Sequence, residues 1–371
     1  MPLVRTYRDL QMPGRGQVWR ELRGLRSTAP GAAARNDERR EVFTSALEQA
    51  QQFLEAAEMA GPATRPVQVF YGLSQLGRAI AATSTALPDS EPVLDKDGSP
   101  KMNGGKPVTV NPWRLSGHGI TTVALREQAR LGLAKVQVKG QERGTLPGVA
   151  RALGVAALPA NVPIPLGQLW PLLPETHPVP LDAAPEFPAL AFDAQPTSPP
   201  VSFGWDRAEL SGIPTSVYQR CREDDAELDA FLARYPSLAG YRYEPAQGIT
   251  PSWGTATHGW RLSIFWPLVS NEESPEFGMS LHERKATPYR GRNDWWVFPS
   301  VAGMSEPLHP FLAWWAVLFG LSMLARYEPD SWAKMIDIDR SASANAIEHL
   351  LDQALDVVPH IAYEAIQSVS R

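Results

Sequence analysis

Apolar positions recur at helical spacing near both ends of the chain and gather in short blocks between them. Val42, Ala46, Leu47, Ala50, Phe53, Leu54 and Ala57 fall on one face of a helix over residues 36–60. Asn36 or Asp37 caps that helix and Gly61-Pro62 closes it. A second helix is predicted from about Pro66 to Ala86, with the stripe Val69, Phe70, Leu73, Leu76, Gly77, Ile80 and Ala81. Its small residues Gly72 and Gly77 let a neighbouring helix approach closely. Helical periodicity returns over Pro310–Tyr327, closed by Glu328-Pro329, and over Ser341–Gln367, which carries Ile347, Leu350, Leu351, Ala354, Leu355, Val358 and Ala362. Pro359 must kink that last helix or start a new turn, because its ring meets the Leu355 carbonyl.

The middle of the chain follows a different pattern. VTV (108–110), AKVQV (134–138), GYRYE (240–244), WRLSIFW (260–266) and DWWVFPS (294–300) read as strands, rich in β-branched and aromatic residues. DKDGSPKMNGGKP (95–107) is a run of turn residues, a hairpin tip or a loop. Twelve prolines among residues 159–200 predict an irregular connector there, and Asp224–Arg234 predicts a short amphipathic helix. No internal repeat is present. The fold class that follows is α+β, mainly α: a helical bundle made by the two ends, with a β-containing, Pro-rich insertion as a lobe. The predicted organisation is an Arg-rich segment 1–34, lying along the body and pinned by Trp19, then a first half-bundle 35–90. The insertion spans 91–300 and the second half-bundle 301–371.

Composition narrows the class. At 371 residues and 43% hydrophobic content the chain has material for a core, and a net charge of −5 argues against coating nucleic acid by bulk charge. The single Cys221 excludes an internal disulfide and a cysteine-cluster zinc site and suits a reducing cytoplasm. No early apolar run suits a signal peptide, so a cytoplasmic location is expected. The 19 uncharged residues Pro307–Ala325 would reach about 28 Å as a helix. Prolines crowd the start of that run and Trp314 and Trp315 sit mid-span, so a buried core helix is expected and no membrane role. Charge is uneven: residues 1–40 hold nine Arg against four acids, and residues 328–371 hold eight acids against three cations. The ends can dock on each other, on a second copy, or stand as two solvated faces.

RPVQVFYGLSQLGRAIAA (65–82), HPFLAWWAVLFGLSMLARYEPDSW (309–332) and ANAIEHLLDQALDVVP (344–359) resemble the YaaC-like family of bacterial proteins. The helical ends also resemble, in helix pattern and not in motif, the HEPN bundles, the nucleotide-binding helical domains of higher eukaryotes and prokaryotes. That second likeness implies dimerisation, and ribonuclease or nucleotidyltransferase-partner roles in toxin–antitoxin and phage-defence systems.

The HEPN ribonuclease motif, an Arg followed after four to six residues by a His, is absent. Arg114 precedes His118 with three residues between, Arg340 precedes His349 by nine positions, and His177, His258, His282, His309 and His360 have no suitably placed Arg. WRLSGHG (113–119) is still the most site-like segment. Arg114, Ser116 and His118 can converge on an anion there, with Gly117 and Gly119 exposing backbone N–H groups; the alternative is a turn with a locally packed His. No metal is expected: HERKA (282–286) lacks a second His, and DKDG (95–98) lacks the downstream Glu of a calcium loop. Nor is a cofactor. NGGKP (103–107) fails as a phosphate loop, and GLSQLG (72–77) breaks nucleophile-elbow spacing. Eight of the 12 Trp lie between Trp253 and Trp332, interleaved with Arg261, Arg284, Lys285, Arg290 and Arg292. Such mixtures bind nucleic acid or build a core and an interface; negative net charge favours the latter, leaving Arg284, Lys285, Arg290 and Arg292 as the nucleic-acid candidates.

Phe311, Trp314, Trp315, Leu318, Phe319 and Met323 go nearly round the 310–327 helix, so either the insertion or a second subunit covers the remainder. A homodimer through the helical ends is the expectation. The favoured function is a non-catalytic helical-bundle protein acting through protein partners, in stress or phage defence. The alternative is an RNA- or nucleotide-acting enzyme using Arg114 and His118.

Overall fold

The computed structural model describes residues 14–95, 97–181, 185–194, 204–221, 224–243, 250–251, 259–289 and 295–371. Within these the chain is mainly helical with several small antiparallel sheets. The first helix, α1 (Arg15–Ser27), lies where an aperiodic strap is expected. Val18, Trp19 and Leu22 are buried, and the i, i+4 pair Val18 and Leu22 suffices for a helix once it packs on the body. Trp19 does pin this segment.

Helix α2 (Asp37–Met59) opens with Asn36 as its cap, the side chain accepting from the Arg39 N–H at 3.1 Å. Helix α3 (Arg65–Thr83) follows and becomes the centre of the bundle, packed against α2 and against two helices from the far end of the chain. An arm of two-residue strands comes next: β1 (Glu91–Pro92), β2 (Met102–Asn103), β3 (Lys106–Pro107) and β4 (Thr109–Val110). β2 and β3 form the expected hairpin tip inside the β1–β4 pair.

Strand β5 (Ile120–Val123), helix α4 (Leu125–Leu131), strand β6 (Gln137–Gly140), helix α5 (Thr145–Leu153), strand β7 (Ile164–Pro165) and the turn α6 (Leu166–Leu169) complete the first part of the insertion. The three strands pair in the order β5-β6-β7, and Ile120, Val138 and Ile164 belong to the helical core. The described part of the Pro-rich stretch has no long helix, and it builds core as well. It carries the 3₁₀ turns Trp170–Leu172 and Pro174–Thr176 and the strand β8 (Leu190–Ala194), and Trp170, Leu172, Leu173 and Glu175 are buried. Proline excludes long helix but suits the first turn of a short one, so a Pro-dense stretch still builds core.

A second core forms around a six-stranded antiparallel sheet, order β10-β11-β9-β8-β13-β12. Its members are β8, β9 (Trp205–Ile213), β10 (Thr250–Pro251), β11 (Trp260–Pro267), β12 (Thr287–Pro288) and β13 (Trp295–Val297), with helices α7 (Thr215–Cys221), α8 (Asp225–Leu232) and α9 (Leu281–Lys285). Leu190, Phe192, Leu210, Ile264 and Trp266 from the sheet bury against Leu228, Phe231, Leu232 and Tyr235. Of GYRYE, Glu244 lies outside the described residues, and 240–243 form no strand: Arg242 makes one isolated bridge to Phe265. The rest of 240–243 takes other contacts, Tyr241 stacking on Tyr243.

The chain then returns to the bundle with α10 (Pro310–Tyr327), α11 (Pro329–Met335) and α12 (Ala344–Val369). α10 has the length and apolar composition to cross a membrane, yet it is 78% buried inside the chain and serves as a core helix. Trp315 lies over Gly77, where an added Cβ would come within 2.5 Å of the indole, and Gly72 faces Leu54 of α2 in the same way at 2.8 Å. The close approach foreseen at both glycines is met. Helix α12 runs unbroken through Pro359, which leaves the Leu355 carbonyl without its usual N–H donor.

The α10 side chains expected to meet a second copy are covered within the chain. Phe311, Trp314, Trp315, Leu318 and Phe319 are buried and Met323 is half-buried, because α3, α6 and the β5–β6 strands already surround the helix. The basic N-terminal stretch meets the acidic C-terminal helix through Arg15, which pairs with Asp356 at 2.7 Å, and Arg65 of α3 adds a pair with Asp352 at 2.6 Å.

Candidate functional site

WRLSGHG is anchored by its first residue. The buried Trp113 donates its indole N–H to the Asp89 carbonyl at 3.0 Å, and the Arg39 guanidinium lies 5.2 Å over its ring. Arg39 is itself buried, bonded to the Leu87 carbonyl at 2.9 Å and ion-paired to Asp89 at 3.3 Å. Burial lowers its pKa, and Asp89 opposes that shift.

The turn that follows docks on the start of α5. The Gly117 carbonyl accepts from both the N–H and the hydroxyl of Thr145, and the His118 carbonyl accepts from the Leu146 N–H at 3.0 Å. Gly117 and Gly119 have φ of +69° and +73°, which makes this reversal inexpensive for glycine. The turn thus offers its carbonyls to free helix N–H groups, the locally packed turn that was the alternative to an anion site.

Arg114 and His118 are not brought together. Arg114 points to solvent and pairs with Glu38 at the start of α2. The His118 imidazole turns inward onto Phe70 of α3 and Phe319 of α10, with ring centroids 5.6 and 5.9 Å away. Two other arginines act on it. Burial lowers the His118 pKa most, followed by the charges of Arg326 and Arg78, so the neutral imidazole is favoured.

Arg78 and Arg326 share an unusual feature. Arg78 donates to Gln75 Oε1 at 3.2 Å, and its Nε is buried without a partner. Arg326 donates to the Ser322 carbonyl at 3.2 Å, to the Tyr71 hydroxyl at 3.3 Å and to Met323 Sδ at 3.2 Å, and lies 5.8 Å over the Tyr71 ring. Among the described residues neither guanidinium has a carboxylate within ion-pair distance, and the His118 ring has no hydrogen bond. Arg78 also lines a depression of about 260 Å³ between α2 and α3, beside Ser45, Gln49 and Gln75 and with the Glu41 carboxylate in the same wall. The result is a half-buried imidazole among aromatic rings, acted on by two cations that have no ion pair among the described residues. Such an arrangement holds an anion and leaves a base free to accept a proton.

The sequence did carry a signal for these arginines. Arg78 is the only charged residue between Val67 and Thr83, and Arg326 the only one in α10. A lone cation in an apolar helix needs a reason to be there.

The basic cluster of the insertion divides. The Arg284 side chain is almost wholly buried and ion-paired with Asp206 and, at 3.7 Å, with Glu276. Lys285 donates to the Ala239 carbonyl at 3.2 Å. Arg284 is thus held within the sheet lobe by its ion pairs; Arg290 and Arg292 lie outside the described residues. Among the described residues no three His, Cys, Asp or Glu gather where they would hold a metal ion.

Fold and site together define a mainly helical α+β protein with a cationic, imidazole-bearing site at the junction of α3, α10 and the 113–119 turn. The model of the YaaC-like protein family matches residues 22–366, and the chain belongs to that family. No curated protein and no solved structure matches it.

Proposed function

We propose that this protein binds a phosphate-bearing ligand, a nucleotide or RNA, through Arg78 and Arg326, with neutral His118 placed to accept a hydrogen bond or a proton from it. One observation carries the reading: two guanidiniums without a carboxylate partner act on one imidazole without a hydrogen bond. Each guanidinium grips phosphate oxygens with two donors, and Tyr71 beside Arg326 gives a base a ring to stack on. This takes up the nucleotide-acting alternative with Arg78 and Arg326 in the role expected of Arg114. The HEPN likeness belongs to the same proposal, since α2, α10 and α12 all pack round α3.

The rival reading, a non-catalytic protein working through partners as a homodimer in defence or stress, loses the α10 face as its surface. It retains the arm of residues 91–110, where Leu94, Met102 and Val110 stand exposed.

The test is fluorescence anisotropy with an end-labelled single-stranded RNA oligonucleotide at low salt, with pyrophosphate as competitor. Arg78→Gln and Arg326→Gln are each expected to weaken binding about tenfold or more, Arg114→Gln to leave it unchanged, and added salt to weaken it throughout. Binding that is absent in the wild type, or equal in all three variants, overturns the proposal.

A further inference from the structure

The candidate site has an open end. The Arg326 guanidinium lies over two rings, 5.8 Å from the centroid of Tyr71 and 5.1 Å from that of Tyr327. Tyr71 in turn stacks on Phe53 of α2, with centroids 5.7 Å apart and ring planes at 26°. Contacts therefore run in one series, Phe53–Tyr71–Arg326–Tyr327, from α2 to the last residue of α10. The first three members are half-buried, whereas Tyr327 is 60% exposed. A series that starts in packed rings and ends in an open one has room for one more flat ring at its outer end.

Cations continue past Tyr327. Helix α11 starts at Pro329 and packs against α4. Arg126 and Arg130 stand one turn apart on α4, both exposed, and Lys135 is exposed in the 3₁₀ turn that follows, Leu133–Lys135. Among the described residues none of the three has an ion pair. Carboxylates share the neighbourhood: Glu127 on α4, Glu328 after α10 and Asp330 on α11. With charge so nearly balanced, attraction alone does not hold a polyanion there. Stacking on a ring has to supply much of the affinity and the cations a smaller part.

We infer that the ligand of this site is a single strand of nucleic acid, with one phosphate on Arg326, the neighbouring base on Tyr327 and the strand continuing towards Arg126 and Arg130. The inference rests on the phosphate reading proposed above and narrows it to an unpaired strand. Stacking accepts any base, because each has a π-face, so little sequence preference is expected. A duplex keeps its base faces in its own stack and offers none to Tyr327.

Titration calorimetry on the full chain at low salt compares three probes: pyrophosphate, a mixed-sequence RNA strand of about 12 nucleotides, and that strand annealed to its complement. The single strand is expected to bind at least tenfold more tightly than either of the others. Tyr327→Ala is expected to weaken the single strand about tenfold and to leave pyrophosphate unchanged, while Tyr327→Phe, which keeps the ring, stays close to wild type. Arg130→Gln is expected to weaken the strand a few-fold and to reduce its salt slope by about 0.7. Pyrophosphate that fails to bind overturns the phosphate reading and this inference together. A duplex that binds as tightly as the single strand overturns this inference alone. So does a Tyr327→Ala variant that keeps the strand, or one that loses strand and pyrophosphate equally.

Discussion

The two cores of this protein bury their tryptophans in different ways. In the helical core Trp315 of α10 packs over Gly77 of α3, so the fit depends on two segments from opposite ends of the chain. In the sheet lobe Trp266 of β11 gives its indole N–H to the Leu238 carbonyl at 3.1 Å, and its cluster is drawn entirely from residues 187–297. The helical core therefore closes only when the chain's ends meet across the lobe, at the loop-closure cost of a long insertion. The lobe closes on its own neighbours. A buried relay within the helical core ties in the residue that follows β12: Trp314 donates to the Tyr289 hydroxyl at 3.0 Å, and Tyr289 donates to the Glu175 carboxylate at 2.8 Å.

Substitution at the two tryptophans breaks that comparison most forcefully. Trp315→Ala empties a fully buried site against a glycine-backed wall, for an expected loss of about 3–5 kcal/mol. Because the ends close the molecule, both cores are expected to melt earlier. Trp266→Ala is expected to loosen the lobe while far-ultraviolet helicity, which reports the bundle, melts close to the wild-type temperature. Equal loss of helicity in both variants would show one cooperative unit. Light scattering on Trp315→Ala at a temperature where it stays folded sharpens the point, since a buried α10 face predicts no change in molecular mass.

Acid offers a finer division. His309 caps α10, its Nδ1 accepting from the Phe311 N–H at 3.2 Å, and burial holds its pKa at about 4. His177, at the junction with the lobe, is likewise held near 4. Both folded values lie below the unfolded value of about 6.5. Below that pH the unfolded chain takes up protons that the fold refuses, so stability is full above about 6.5 and falls as pH drops towards 4. Each histidine contributes on the order of 1–2 kcal/mol of loss by pH 5. His309→Asn retains a cap acceptor without the titration, and its unfolding midpoint is expected to fall less steeply between pH 6.5 and 5. An unchanged slope would place the acid sensitivity elsewhere.

The same contrast explains what could be read from the sequence. Helices α2, α3, α10 and α12 were legible because a 3.6-residue stripe records which face is buried, and even the contacts at Gly72 and Gly77 followed from residue size. Strand β9 was not. Its WDRAELSGI carries three charges, and its core-facing Ala208 and Leu210 alternate too briefly to mark a strand. The burial within the Pro-rich stretch was not legible for a related reason: proline density reports what the backbone cannot do, while burial of Trp170 and Leu173 depends on distant partners. At the candidate site His118 was visible beside its glycines. Its true neighbours, Arg78 and Arg326, come from helices brought together only by the bundle, and no spacing rule connects them. Sequence proximity favoured Arg114 instead.

That choice sets the smallest and most discriminating effect. The Arg114 side chain is 60% exposed and its partner Glu38 is 48% exposed, so water and salt screen the pair. Arg114→Ala is expected to change stability by about 0–1 kcal/mol, less at high salt, and to leave phosphate binding intact. Arg326→Ala removes a side chain that lies over Tyr71 and bonds its hydroxyl, so a comparably small stability change there should accompany a large loss of binding. Both measurements use one protein at one pH. If Arg114→Ala loses ligand while Arg326→Ala retains it, the turn itself is the site and the pairing of α3 with α10 around His118 serves only the core.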